Sequence, residues 1–260
     1  MTRRHVIIHY HIFKNAGTSV DHALEQAFGD RWATFEGAHA IDVQPAARLR
    51  AFLEQHEHLL AVSSHLARPP VPWTECRPIV FLRHPLDRAR SVYEFVAADV
   101  TQPFHEVARE QGFRGYVEWA LNDGAGGVVI RDYQTIHLSS ASFRGENILR
   151  VCATDADLAE AKSRLGEFPA LGLVDQYDRS LQLFERVYAP AFPGLRLPSS
   201  RLNATRPSAR SLAEKVAALH DELGADLLRR FTASNEHDFA LYRFAQRRFT
   251  TLCEAAGIGG

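Results

Sequence analysis

The stretch HIFKNAGTSV, residues 11–20, sets a lysine, an asparagine and four small or hydroxyl residues between an apolar run and a helix-forming one. In Lys14-Asn15-Ala16-Gly17-Thr18-Ser19, small side chains let backbone N–H groups come close to an anion. Thr18 and Ser19 add hydroxyl donors, and the start of the following helix adds positive dipole. Lys14 reaches across as a compact point charge. The usual phosphate loop, G-x-x-x-x-G-K-[ST], places its lysine after the glycines; here it precedes Gly17. The same residues also suit a plain strand-to-helix turn capped by Thr18 or Ser19.

Two further segments carry residue types fit for chemistry. In IVFLRHPLDRARSVY, residues 79–93, Arg83 ends an apolar run and Ser91 lies on the helix that follows. Ligands of open α/β sheets bind outside the carboxyl ends of strands, and an arginine fork with a nearby hydroxyl suits a phosphate monoester. The plainer alternative pairs Arg83 with Asp87 and leaves Ser91 an ordinary helix residue. In VSSHLARPP, His65 stands at the end of another apolar run. It suits a general base near neutral pH or, the commoner case and one of thirteen histidines, a hydrogen-bonded core residue. His9 and His11 alternate on one strand, so a metal clasp and a buried core pair are both open, the core pair being the simpler. His56 and His58 read as solvated.

The elements that must hold these residues follow from periodicity. Strands are expected at 5–13, 59–64, 79–83, 147–151 and 171–174. Helices are expected at 18–28, 45–58, 84–99, from Thr154 (N-cap, with Asp157 in a capping-box position), over QYDRSLQLFERVYA, and through most of 208–260. Residues 100–147 are the least regular and read as helical insertions and loops beside an acceptor site. Residues 193–208 read as a loop. Short apolar strands alternating with amphipathic helices imply βαβ units and a central, mainly parallel sheet covered on both faces. One domain over 1–260 is expected.

Composition narrows the partners. Net charge is −1, so no global basic field favours nucleic acid or an anionic membrane. Cys76, Cys152 and Cys253 are odd in number and widely spaced, as in reduced cytoplasmic proteins. No stretch approaches the ~20 apolar residues of a membrane span. A cytoplasmic protein without a transmembrane segment is expected.

Taken in order, the segments resemble one family. HIFKNAGTS is similar to the 5′-phosphosulfate loop of sulfotransferases, of H-x-P-K-T-G-G-T-S character. RPIVFLRHPLDRARSVYEF resembles their 3′-phosphate segment, and VSSH their Ser-Gly-His strand end. DYQTIHL, LGLVDQYDRSLQLFERVY, LNATRPS and NEHDFALYRFAQRRF continue the likeness over nearly the whole chain, nearest to the type-2 branch with the heparan sulfate 2-O- and 6-O-sulfotransferases and its bacterial members. The resemblance implies a P-loop nucleotide-kinase-like three-layer α/β/α domain. It implies sulfuryl transfer from 3′-phosphoadenosine 5′-phosphosulfate (PAPS) to an acceptor hydroxyl, leaving PAP and needing no metal. By the same resemblance Lys14 and His65 are catalytic. Lys14, Asn15, Ala16, Gly17, Thr18 and Ser19 hold the 5′ end, and Arg83, Ser91 and Arg206 the 3′-phosphate. The acceptor is a glycan or small metabolite, with Arg109, Arg114, Arg131 and Arg144 available for a local basic cleft. Five positions depart from the pattern: Phe13 for proline, Asn15 and Ala16 for Thr and Gly, Ser64 for glycine, and Ile136 for an arginine. A nucleotide or small-molecule kinase and a non-catalytic PAP-binding protein are the alternatives. The kinase is disfavoured by the missing G-K-[ST] and the missing magnesium-binding aspartate.

Overall fold

A computed structural model describes residues 4–37, 39, 42–122, 127–144, 150–199 and 210–259. In chain order they form β1 (Val6–Tyr10), α1 (Gly17–Phe28), β2 (Trp32–Thr34), α2 (Ala46–Gln55), β3 (Ala61–Ser64), β4 (Cys76–Ile79), β5 (Phe81–Leu82), α3 (Pro85–Ala98), α4 (His105–Asn122), α5 (Tyr133–Leu138), α6 (Asp155–Glu167), β6 (Gly172–Leu173), α7 (Tyr177–Tyr188), α8 (Leu212–Ala233) and α9 (Glu236–Ala255). The fold is mixed α/β, and its residues divide into two compact units.

The first unit comprises residues 1–82, 160–205 and 243–260. Its β1, VIIHY, is buried at all five positions, as a β-branched run covered on both faces should be. It lies inside a parallel sheet of order β2-β3-β1-β4. Only Val80 separates β4 from β5, and β5 pairs in parallel with β6, where the Gly172 N–H donates to the Val80 carbonyl at 2.8 Å. Register sets Tyr10 beside Ser64 and Thr34 beside Ser63. The strands being parallel, the segments after β1, β2 and β3 all leave at one edge. β2 is the strand that periodicity does not reveal: three residues, held by pairing with β3, are too few to show alternation.

The second unit comprises residues 83–159 and 206–242 and is helical. The helical insertions expected within 100–147 are present there: α4, eighteen residues long, and the shorter α5. The apolar phase of α4 is hidden because Gly112, at φ 64°, bends the helix and resets the period. Arg114 donates to the carbonyl of Leu223, beside a second bend at Gly224 (φ 72°). Arg144 bonds Asp157 at 2.5 Å and the Cys152 carbonyl at 3.0 Å. Two of the four arginines expected in a basic cleft are thus engaged in structural contacts. The capping box of α6 is present, with the Thr154 N–H and hydroxyl each 2.7 Å from Asp157. Val151 belongs to no strand, and 147–149 of the expected strand lie outside the described residues.

Candidate functional site

The chain after β1 turns through two residues in left-handed conformation, Lys14 at φ 64° and Ala16 at φ 63°, with Asn15 at ordinary φ between them. Alternating φ sign turns successive N–H groups toward one concave side, which suits an anion. Ala16 is the N-cap of α1, and no side chain caps the helix. Thr18 and Ser19 therefore lie inside the first turn, and the reading of either as N-cap is corrected. The Ser19 and Val20 N–H groups both close on the Ala16 carbonyl, at 3.1 and 3.2 Å. Buried Asn15 donates from Nδ2 to the Phe81 carbonyl at 2.7 Å, tying the loop to β5. The Lys14 ammonium lies 5.9 Å from the centre of the Phe13 ring, so the residue standing for proline serves as an aromatic rest for the lysine.

One strand over, Ser64 ends β3. Its hydroxyl accepts from the Leu66 and Ala67 N–H groups at 3.1 and 2.8 Å, turning the chain sharply where the resembling pattern has glycine. His65 stands in this turn, half-exposed. Glu36, just past β2, holds it twice: its Oε1 accepts from the His65 backbone N–H at 3.0 Å and lies 2.9 Å from His65 Nδ1. A carboxylate on Nδ1 puts the ring proton there and leaves Nε2 as the basic atom. Glu36 carries no sequence signal. It is twenty-nine residues from His65 and becomes its neighbour only because β2 pairs with β3.

Beneath His65 lies His11, ring centres 3.7 Å apart. His11 Nδ1 is 2.8 Å from Asp21 Oδ2, and His9 Nδ1 is 2.7 Å from Asp21 Oδ1. The two histidines are buried, as a core pair would be, yet they share a carboxylate. The three groups lie within 4.8 Å of one another, as ligands of one cation would, and here they are joined by hydrogen bonds. Burial pushes the Asp21 carboxyl up, but the charge of His9 and the hydrogen bonds of His11 and His9 outweigh it and hold the group well below the carboxylate range. Burial pushes the His11 imidazole down to about 4 against the Asp21 hydrogen bond, so it is neutral at physiological pH. Beside Glu36 opens a cleft of about 410 Å³ lined by Phe35, Gln44, Arg48, Phe52 and Gln55.

In the second unit, Arg83 leads into α3. The Gln134 side chain holds its backbone on both sides: Oε1 accepts from the Arg83 N–H at 2.9 Å, and Nε2 donates to the Arg83 carbonyl at 3.0 Å. Asp238 anchors Gln134 in turn, accepting from the Gln134 N–H at 3.1 Å and the Thr135 N–H at 2.7 Å. Arg83 Nε pairs with Asp87 at 2.5 Å, the contact the plainer sequence reading foresaw. Ser91 lies on α3, partly exposed. Ile136 is buried against Ala141 and Val151, so that position supplies packing where the resembling pattern has a charge. Asp132, at φ 44°, has its carboxyl pushed up to about 6 by burial and by the Asp238 charge, and His237 Nδ1 lies 2.8 Å from it. Arg206 lies outside the described residues.

No family model matches the chain. An uncharacterized protein of Archaeoglobus fulgidus is 28% identical over 247 residues, spanning 92% of this chain and 95% of that one. The crystal structure of a sulfotransferase from Alicyclobacillus acidocaldarius matches with a TM-score of 0.37 at 16% identity, over 93% of this chain and all of that one. A likeness at that level fixes neither the fold nor the chemistry. No helix among the described residues is long and apolar enough to cross a membrane.

Proposed function

We propose that the protein is a sulfotransferase that moves the sulfuryl group of PAPS to an acceptor hydroxyl. The observation that carries the reading lies within the first unit. A lysine-bearing, anion-shaped loop follows β1, and a carboxylate-oriented histidine follows β3, its hydrogen-bonded neighbour. Sulfuryl transfer asks a protein for in-line positioning, charge stabilisation at the leaving oxygen and removal of one proton from the acceptor. The backbone N–H groups of Ala16, Gly17 and Thr18, with the Thr18 and Ser19 hydroxyls, suit the 5′-phosphate, while the Asn15 and Ser19 N–H groups close on the Ile12 and Ala16 carbonyls and hold the loop's shape. Lys14 suits the charge that develops on the leaving oxygen. His65 takes the acceptor proton at Nε2 while Glu36 holds its Nδ1 proton. The sequence resemblance assigns the 3′-phosphate to Arg83, Ser91 and Arg206, and Gln134 supports that role by fixing the Arg83 backbone. The cleft beside Glu36, with an arginine, two amides and a pair of phenylalanine rings, suits a polyhydroxylated acceptor such as a sugar.

Calorimetric titration with PAP, AMP and ATP tests the nucleotide. A second clamped phosphate adds charge-assisted hydrogen bonds worth about 1.5–3 kcal/mol, so PAP should bind at least tenfold tighter than AMP. Transfer of labelled sulfate from PAPS to a glycan and metabolite panel, in the presence of a magnesium chelator, tests the chemistry. Equal affinity for PAP and AMP, or phosphoryl transfer from magnesium ATP instead, overturns the reading.

A further inference from the structure

We infer that His11 is a positioning residue, a wedge whose ring sets the start of α1 and the plane of the His65 imidazole together. The inference rests on the sulfotransferase reading only for what the two ends do; the wedge itself is geometric. A Cβ built on Gly17 would lie 2.0 Å from Cδ2 and Nε2 of His11 and 2.5 Å from Cε1. The space a side chain would need at Gly17 is therefore filled by the imidazole. Gly17 is glycine because His11 is there, and the small-residue character of the loop at this position serves the protein's own ring rather than the approach of an anion.

The other edge and face of that ring are also committed. Asp21, one turn into α1, accepts at Nδ1. It is an ionised acceptor that fixes the ring proton on Nδ1, and its second oxygen does the same for His9. The His9 Nδ1 also lies 3.2 Å from the Ser63 hydroxyl, which the Trp32 indole N–H approaches at 3.1 Å. The His11 backbone N–H donates to the Ser64 carbonyl at 2.9 Å, and its ring stacks on His65. Helix start, carboxylate and base thus meet on one side chain, whose backbone N–H is tied to the neighbouring strand. Rotation of the His11 ring would give up Asp21, collide with Gly17 and leave His65 without its stacking partner, so His65 is held by Glu36 at its edge and by His11 at its face.

The test is a double-mutant cycle on Gly17→Ala and His11→Ala with three readouts: thermal unfolding, PAP affinity, and the ring ¹⁵N shifts of His65 in the ligand-free protein. Gly17→Ala alone overpacks the ring and should lower stability and weaken PAP by about tenfold to 100-fold. Adding His11→Ala removes the collision, so the double variant should return to within about threefold of His11→Ala alone, a strong coupling between contacting residues. His65 should show one dominant Nδ1–H tautomer in the wild type and a mixture in His11→Ala, with His11→Gln restoring little of it, since an amide does not stack as an imidazole does. If Gly17→Ala weakens PAP in the His11→Ala background by as much as it does in wild type, Gly17 serves the anion directly and the wedge is refuted. If the two sites couple in unfolding but the His65 tautomer is unchanged, His11 does not position the base. If wild-type protein binds no PAP, the sulfotransferase reading fails, while the unfolding and ¹⁵N readouts still decide the wedge.

Discussion

The buried neutral state of His11 has a measurable cost as pH falls. In the unfolded chain its imidazole titrates near 6.5, and in the folded protein burial pushes it down to about 4. A base whose folded value is depressed binds fewer protons when folded, so stability is fullest above pH 6.5 and is lost as pH falls toward 4. At pH 5 the unfolded imidazole is almost fully protonated and the folded one only about a tenth so, which lowers stability by about 2 kcal/mol relative to pH 8. The full difference, reached below pH 4, is about 3 kcal/mol. Asp21, held well below the carboxylate range, stays ionised in the folded protein; its unfolded form takes up a proton only as pH nears 4, so it adds little between pH 8 and pH 5 and its own loss of stability begins below that. Asp132 and His237 are both pushed upward, so they favour the folded state as pH falls and oppose His11 in the total. The comparison must therefore be between variants. Urea unfolding of wild type and His11→Gln from pH 8 to pH 5 isolates the residue, because glutamine offers Asp21 a donor but takes no proton. The wild type should lose about 2 kcal/mol more than the variant over that interval. Parallel curves, agreeing within about 0.5 kcal/mol, would show that His11 titrates as in water and that the buried neutral imidazole is wrong.

Four further outcomes follow from single contacts. Lys14→Ala should lower sulfuryl turnover far more than PAP affinity, and Lys14→Arg should restore little, because a planar fork does not replace a compact ammonium; steady-state kinetics beside calorimetry decides, and a variant that loses affinity alone refutes the assignment. Ala16→Gly should raise stability by up to about 1 kcal/mol in thermal unfolding, since Ala16 pays for a left-handed φ of 63° that glycine adopts freely; a destabilised variant would mean that the Ala16 methyl packs in a way that outweighs the relief. Gln134→Ala frees the Arg83 backbone on both sides and should weaken PAP by about tenfold while AMP, lacking the 3′-phosphate, is unaffected. Asp132→Asn should remove the stability that wild type gains between pH 7 and pH 4 through this raised carboxyl; an unchanged slope against pH would place the titration elsewhere.

The sequence announced the strand–loop–helix and the strand-ending histidine because both are local: an apolar run, then residues of a needed type within a few positions. The capping box at Thr154 was legible for the same reason. What it could not announce is carried by pairing. Glu36 meets His65 because β2 lies beside β3, and β2 is too short to show a pattern. Gln134 and Asp238 meet across about a hundred residues with no shared periodicity. The length of α4 was hidden by Gly112, which breaks the helical phase in mid-element. Ser64 looked like a departure from a glycine, and only the hydrogen bonds to Leu66 and Ala67 show that its hydroxyl makes the turn by another route.

The two units use one device. In the first, a carboxylate on a helix, Asp21, spends its oxygens on two imidazoles and thereby fixes His11 against the half-exposed His65. In the second, Asp238 spends its oxygens on the start of α5 and thereby fixes Gln134 on the backbone of Arg83. In each case the residue assigned to substrate is partly open to solvent, and the side chain set against it, His11 or Gln134, is buried and held by a carboxylate. Buried networks are worth most when complete and cost most when one member is lost, because the remaining polar groups stay desolvated. Substitution should therefore separate the two classes. Removing Lys14 or His65 should leave the unfolding free energy nearly in place, whereas removing Asp21, Asp238 or Arg83, whose loss strands the Asp87 carboxylate, should lower it by about 1–3 kcal/mol per group left unpaired.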